Sequence, residues 1–590
     1  MRVVKVAPAL FLLALLPSLF LWKLTLAGRI LVGLDPFNFF YPYHDALAHA
    51  VEMGRLPEWN PTLFGGVPFL ADSQAQIFYP LGWPFLRLRA PAALTWGIAL
   101  HLALAGLGVY AWARMGLGLS RAGSWLAGAL FALGGYLGAQ VEHLNQLQAA
   151  AWLPWLLLGY ERSRGQEPRG WAVPLASIAL AMSFLAGHAQ TTFISLVLFA
   201  LWVARGLLRD AQSVSEPLRQ VWRSLLPPLL PFLAILVIGA LLAAVQLVPT
   251  QLLSALSPRA GGLSFRDAAA FSLDPRILPR ALLPTFGQDE RLFSEYVGWI
   301  GFLGLALALL GALSRARAPR DFGLLAAGTG LFLALGGYNP LFWLLWRVVP
   351  GFALFRAPAR WLLLWALGMA ILAGAGLDKL EREGLVLPSL AALRRDQRVW
   401  VGAAAAALAL LFFLLFGAWP ALRTLPWWLG ALCLAGATLA LRRVWSTRWP
   451  VPYSALVTTI LLAELWAAWW GLDSQKATAP EAYGGLRPVP AHLITMQPEQ
   501  GATRLLSLSR LTWDPGDLAT LQARHAGLLS EEAIYDLVVA TKLKEVFAPN
   551  QPMRWGLQTA DGYGGGLLPS ARWVAFQQTL PLSKIVPDGR

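Results

Sequence analysis

The sequence predicts an all-α polytopic membrane protein of about 13 transmembrane helices, with a long first extracytoplasmic loop and a small C-terminal α/β soluble domain. Three observations carry this. Of 590 residues, 57% are hydrophobic and 13% charged, the mean hydropathy is +0.54 and tryptophan occurs 28 times, a composition outside the range of soluble globular domains. Apolar stretches near the length of a bilayer crossing recur up to residue 470. From about residue 471 the composition turns charged and mixed.

A crossing needs roughly 20 residues with few charges. The stretches that fit are 6–27, 92–113, 122–141, 146–160, 171–187, 189–204, 224–247, 297–314, 322–337, 359–377, 399–418, 426–441 and 451–470. The opening MRVVKVAPALFLLALL has the look of a secretory signal. No small-residue cleavage site follows it, however, and Lys23 and Arg29 come next, so an uncleaved first span is expected. With the N-terminus cytoplasmic, the short loops on that side carry Arg114 and Arg121, Arg162 and Arg164, Arg205 and Arg209, Arg315 and Arg317, Arg394 and Arg395, and Arg442 and Arg443. That is the positive-inside bias. Much of the net charge of +15 is then a topology signal facing an anionic leaflet, and nucleic-acid binding is set aside.

Other classes fall away as quickly. The lone Cys433 excludes an internal disulfide and any CxxC motif. No phosphate loop of the form GxxxxGK followed by Ser or Thr is present, which argues against ATP hydrolysis. No repeat with a period of about 20 to 50 residues appears.

Three segments on the outer side are too long to be turns: 28–91, 248–295 and the tail 471–590. The first opens with Asp35 and Pro36, which read as an N-cap followed by proline at the first helical position. In YHDALAHAVEMG, Leu47 and Val51 share one face, with Asp45, His49 and Glu52 on another, as in a helix lying in the membrane interface. The Pro-, Gly- and aromatic-rich text that follows suits ordered irregular chain at headgroup level. In the tail, RLLSLS and ARWVAFQQTL read as strands among helices.

Polar groups at the outer boundary are the candidates for chemistry, because charge near hydrocarbon is costly unless paired or used. Asp35, at the exit of the first span, reads either as a general base or as a plain helix cap. Arg356 and Arg360 in FRAPAR, four residues apart, would share a helical face and clamp a phosphate, or would snorkel to lipid phosphates. Arg259, with Arg266, Arg276, Arg280 and Arg291, adds positive charge in the outer loop, and an anionic substrate would explain it. VEHLNQ (Glu142, His143, Asn145, Gln146) and GHAQTT (His188, Gln190) form polar outer turns. Asp72, and Glu464 inside an apolar run, complete the set, the latter with an outer-loop arginine as its structural alternative. His44, Asp45 and His49 match no zinc spacing. No cofactor is implied, which leaves room only for a hard divalent cation bridging carboxylate and phosphate.

The succession LDPFNFFYPYHDAL, GRLPEWNPTLFGGVPFLADSQAQIFYPLGW, NQLQAAAWLPWLLLGYER, QLVPTQLLSALSPRAG, YVGWIGFLGLALALLG and VVPGFALFRAPARWLLLWALGMAILAGAGLDKL resembles the YfhO family of bacterial membrane proteins. NQPMRWGLQTADGYGGGLLPSARW in the tail also resembles that family's outer domain. The family is similar to the GT-C class of integral-membrane glycosyltransferases, which move a sugar from a polyprenyl-phosphate carrier to an acceptor outside the cytoplasm. The resemblance implies a GT-C-like transmembrane domain over 1–470 and an extracytoplasmic domain over 471–590 in a bacterial inner membrane. It implies a polyprenyl-phosphate-sugar donor and an envelope acceptor: a cell-envelope polymer, a glycolipid or a protein. It makes Asp35 the acidic residue that activates the acceptor or helps hold the carrier phosphate; the loop text DPFNFFYPY departs from the family pattern, which keeps Asp45 as the alternative. It places Arg356, Arg360 and Arg259 on the carrier phosphate, with His143, Asp72, His44, His188, Gln190 and Glu464 as further substrate contacts. Phe39, Tyr41, Tyr43 and Tyr79 would stack on sugar or line the prenyl groove. The expected reaction is a single inverting displacement with no nucleotide, the tail capping the cleft through GYGGG (562–566). A flippase of lipid-linked sugars and a non-catalytic scaffold are the rivals. The clustering of polar groups on one side favours the enzyme.

Overall fold

The computed structural model describes residues 7–164, 168–212, 218–384, 411–448, 451–496, 504–507, 512, 514–564 and 566–579. Among these residues, helices dominate and only two strands occur, each of two residues. Six helices are long and apolar enough to cross a bilayer: Ala90–Met115, Arg121–Glu142, Ala189–Arg209, Leu226–Ala255, Pro358–Glu383 and Leu422–Arg442. Shorter apolar helices are Ala7–Phe20, Ala172–Leu185, Phe302–Ala312 and Tyr453–Trp469. The expected count of thirteen crossings is therefore not reached by helices that are individually sufficient. Chain breaks account for part of the shortfall. The predicted span 146–160 is two helices, Leu144–Ala151 and Leu153–Ser163, meeting at Trp152 just before Pro154, which has no N–H to continue the ladder. The predicted span 399–418 lies largely outside the described residues.

The Leu362–Glu383 helix is the centre of the bundle, packed against Arg121–Leu133, Phe302–Ala312 and Arg317–Ala334. Small residues permit this. A Cβ on Gly311 would lie 1.9 Å from the Leu372 carbonyl oxygen, and one on Gly376 would lie 1.8 Å from that of Leu307. The two backbones approach as closely as glycine allows, the usual device where lipid supplies no hydrophobic drive between helices. The Pro358–Glu383 segment is 94% buried, whereas Leu226–Ala255 and Leu422–Arg442 are each only 22% buried, so these two form the lipid-facing rim.

The loops 28–91 and 248–295 and the tail lie on one face, called here the loop face. Strand β1 (Ile30–Leu31) pairs antiparallel with β2 (Ala477–Thr478), joining the exit of the first span to the exit of the last. Further along, the Phe64 and Gly65 amides donate to the Asp561 and Thr559 carbonyls, and Thr559 Oγ1 donates to the Thr62 carbonyl at 2.6 Å. The tail is thus laced into the first loop. Its described part is mainly helical, and ARWVAFQQT, expected as a strand, forms the helix Ala571–Thr579. The aromatic and β-branched residues that suggested a strand have no sheet edge to join, while Ser570 Oγ accepts from the Trp573 amide at the helix start.

Candidate functional site

The first loop turns sharply where it leaves the membrane. Asp35 has helical dihedrals, makes no capping hydrogen bond, and is followed by a π-helical turn, Pro36–Phe40, that leads into the Tyr41–Glu52 helix. The simple N-cap reading is therefore corrected. A π-turn widens the backbone and recurs at functional sites, and here it swings the Asp35 carboxylate away from its own helix. Asp35 Oδ1 accepts from Tyr563 Oη at 2.8 Å, and Oδ2 lies 3.4 Å from His143 Nε2. His143 is itself oriented. Gln140 Nε2 donates to the Ser294 carbonyl at 3.1 Å, which turns Gln140 Oε1 toward His143 Nδ1 at 3.0 Å. With Nδ1–H donated there, Nε2 donates to Asp35 only in the imidazolium, where both nitrogens carry a proton. Beside this pair, the Glu142 carboxylate sits against Gly33, where a Cβ would lie 2.8 Å from its Cδ.

FRAPAR lies opposite. Ala357 has φ +58°, a left-handed conformation costly for a residue with a Cβ, and Pro358–Trp361 is a 3-10 turn. Arg356 and Arg360 are thus not on one helical face as expected, because the strained Ala357 bends the chain between them. Arg360 turns inward. Its guanidinium bonds Glu295 Oε1 at 2.6 Å and donates to Gln190 Oε1 at 2.7 Å. Burial pushes the Glu295 carboxyl up, but Arg360, helped by His143, outweighs this and holds it below its ordinary value. Gln190 Nε2 in turn donates to the Arg356 and Ala357 carbonyls and secures the bend. Arg356 stays exposed, its guanidinium 5.7 Å over the Phe271 ring, and among the described residues it makes no ion pair. Arg259 is half-buried nearby; desolvation, then repulsion from Arg356 and Arg360, pulls its pKa below the ordinary guanidinium value. Arg259 and Arg356 thus feel each other's charge, and neither has an acidic partner among the described residues.

The acid and the cations share one locality. Arg360 lies within electrostatic reach of Asp35, and His188 lies within electrostatic reach of both His143 and Arg360. Burial first, then those two neighbours, depresses His188 well below the ordinary imidazole value. Its Nδ1 accepts from the Thr191 amide at 3.2 Å, leaving Nε2 as the proton-bearing nitrogen. The tail closes the site: Tyr563 touches Asp35, and a Cβ on Gly566 would lie 3.6 Å from both Arg259 Nη1 and Gln74 Nε2. An aromatic cleft runs beside Arg356, lined by Phe193, Phe342, Phe352, Phe355 and Trp361.

Other predicted residues serve elsewhere. Asp45 accepts from Tyr483 Oη at 2.6 Å and lies 3.7 Å from His44, on a separate cavity. His44 Nε2 meets the Phe85 carbonyl at 3.2 Å. Tyr41 is buried and donates to the Leu31 carbonyl at 2.9 Å. Tyr79 is buried between His101 and Trp152, its oxygen 2.6 Å from His101 Nε2 and accepting from Trp152 Nε1 at 2.9 Å. Phe39 and Tyr43 belong to a separate buried cluster with Phe69. Glu464 receives the Phe302 and Leu303 amides, so a helix N-terminus takes the place of the expected arginine. Among the described residues no three His, Cys, Asp or Glu side chains are grouped to hold a metal ion.

Asp72 is a support. It accepts from the Gln74 amide at 3.0 Å and from Tyr43 Oη at 3.2 Å, so it sets the turn that carries Gln74 toward Arg259. Burial raises its pKa from 3.8 to about 6 against those two hydrogen bonds. A carboxyl whose folded pKa lies above its unfolded value contributes stability below the unfolded pKa and loses it as pH rises through the folded one. Stability is expected to fall between about pH 4 and pH 6 by up to about 3 kcal/mol from this group. Asp72→Asn should abolish that slope in thermal melts and leave the variant more stable than wild type at pH 7.5.

Sequence reasoning missed Glu295, Gln140, Gln74 and Tyr563. Glu295 had one usable signal: an acid directly preceding a predicted span.

Comparison with known proteins gives a family and a set of distant folds. The family described as bacterial membrane protein YfhO matches residues 75–481. No curated protein matches the sequence. Among solved structures, the chain is similar to ArnT from Cupriavidus metallidurans bound to undecaprenyl phosphate, at 14% identity and TM-score 0.46, over 98% of this chain and 89% of that one. It is also similar to the Archaeoglobus fulgidus oligosaccharyltransferase, at 14% identity and TM-score 0.43, over 94% of this chain and 64% of that one. A third is the arabinofuranosyltransferase AftD from Mycobacteria, at 17% identity and TM-score 0.40, over 68% of this chain and 26% of that one.

Proposed function

The chain belongs to the YfhO family of bacterial membrane proteins, and from that premise we propose that it is an integral-membrane glycosyltransferase taking a sugar from a polyprenyl-phosphate carrier. The observation that supports this reading is the pair Arg259 and Arg356, which feel each other's charge and have no acidic partner among the described residues, linked through Arg360 to the field of the Asp35 carboxylate that Tyr563 and His143 contact. Fixed cations of that kind suit a phosphate that gains charge as it leaves.

In the proposed step the acceptor oxygen loses its proton to Asp35 and attacks the anomeric carbon. The bond from that carbon to the phosphate oxygen breaks, and its electron pair stays on the carrier phosphate between Arg259 and Arg356. Attack from the face opposite the leaving group inverts the anomeric centre. His143 and Tyr563 orient the carboxylate, and proximity supplies much of the acceleration. The loop face is extracytoplasmic in this reading, with the N-terminus cytoplasmic in the inner membrane and the arginine-rich short loops inside. Residues 1–470 form the membrane domain and 471–590 the cap. The acceptor is an envelope polymer, glycolipid or protein.

Reconstitution with a panel of radiolabelled polyprenyl-phosphate sugars tests this. Arg356→Ala and Arg259→Ala are each expected to raise KM for the carrier about tenfold or more, since a charge-assisted bond is worth roughly 1.5–3 kcal/mol. Labelled carrier that crosses the vesicle membrane without being consumed would replace the enzyme by a transporter.

A further inference from the structure

A second cationic cavity lies on the loop face, apart from the site around Asp35. Its volume is about 510 Å³, and three arginines from distant parts of the chain line it: Arg29 after the first span, Arg89 at the start of the Ala90–Met115 helix, and Arg554 from the tail. Asp45 also lines it, about ten residues along the helical run from Asp35 and hence roughly 15 Å away at 1.5 Å per residue. Arg554 is anchored: it donates to the Tyr483 and Gly484 carbonyls and stacks on the Tyr483 ring at 4.3 Å. Among the described residues Arg29 hydrogen-bonds the Leu528 carbonyl alone, at 3.5 Å. For Arg89 the structure gives no ion-pair partner among the described residues.

The first residues of the Ala90–Met115 helix form part of the wall, so its N-terminal dipole adds to the positive field. The other walls are apolar, and Trp96, which lines the cavity, is 42% exposed to the side. Leu26, on the adjoining turn, is 69% exposed. The lining thus combines three guanidiniums, which suit a phosphate, with apolar side chains, which suit acyl carbon. Asp45 is tied to Tyr483 through Oδ2; its Oδ1, 3.7 Å from His44 Nδ1 and so beyond hydrogen-bond distance of it, can accept from a hydroxyl.

We propose that this cavity binds an anionic phospholipid from the leaflet on the loop face, with the phosphate on Arg29, Arg89 and Arg554 and a headgroup hydroxyl on Asp45. The site is independent of the transferase reading, since it uses none of that reaction's residues. It is the same chemistry whether the phosphate comes from a lipid or from a soluble ester, and the test separates the two.

The test is native mass spectrometry of the detergent-purified full chain with phosphatidylglycerol or phosphatidylcholine of identical acyl chains. Wild type is expected to retain phosphatidylglycerol about tenfold more strongly. Arg29→Gln with Arg89→Gln should lose that preference with its melting temperature unchanged, and Arg266→Gln with Arg347→Gln, altering other exposed arginines, should keep it. The proposal is overturned if the cavity variant keeps the preference or if the control variant loses it equally. Displacement of the lipid by millimolar glycerol phosphate alone would assign the cavity to a soluble phosphate and overturn the lipid assignment.

Discussion

Asp35→Asn is expected to lower sugar transfer by about 10² to 10⁴, the range typical of a lost general base. The amide preserves the shape and can still accept from Tyr563, so folding and thermal stability should stay within about 0.5 kcal/mol of wild type for a partly exposed site. KM for the carrier should be unchanged or lower, because removing a negative charge near Arg360 does not weaken an anion site. The check is single-turnover transfer with saturating labelled carrier, with melting curves run beside it. Turnover equal to wild type would remove Asp35 from the reaction and leave the histidine beside it without a catalytic role.

The second large effect concerns folding. Arg360→Ala strands Glu295, whose side chain is 2% exposed and which holds the guanidinium at 2.6 Å. Breaking a buried pair by removing one partner costs about 3–5 kcal/mol, chiefly through the uncompensated charge left behind. Gln190 also loses its donor and no longer braces the bend at Ala357. The variant should therefore melt well below wild type in detergent. A double variant, Arg360→Met with Glu295→Gln, should recover most of the loss, because it removes both charges at similar volume. A single variant within about 1 kcal/mol of wild type would mean that the pair carries little of the local structure.

These two arginines show what the sequence could and could not display. Arg356 and Arg360 are alike in the text: same residue, same motif, same side of the membrane. Their fates differ because Glu295, distant in the chain, reaches one and not the other, and because Ala357 adopts a backbone conformation that no propensity argument anticipates. Membrane segments were easier to read, since the cost of burying charge in hydrocarbon acts on composition alone. Their lengths were less legible, as at Trp152, where one apolar stretch becomes two helices. Asp35 was visible as a position, as a base or as a cap, and the π-turn after it, which leaves it without a capping hydrogen bond, was not. Tyr563 was invisible: GYGGG suggested a loose backbone, and only the folded chain brings its hydroxyl to the acid. The strand expected at ARWVAFQQT failed for a related reason, since strand character is realised only where a neighbouring edge exists.

The contact between Tyr563 and Asp35 spans 528 residues, and this has a bearing on biogenesis. At about 5–20 residues per second of synthesis, the first loop emerges half a minute to nearly two minutes before its partner in the tail is translated. Throughout that interval the Asp35 carboxylate lacks the hydroxyl that meets it in the folded protein.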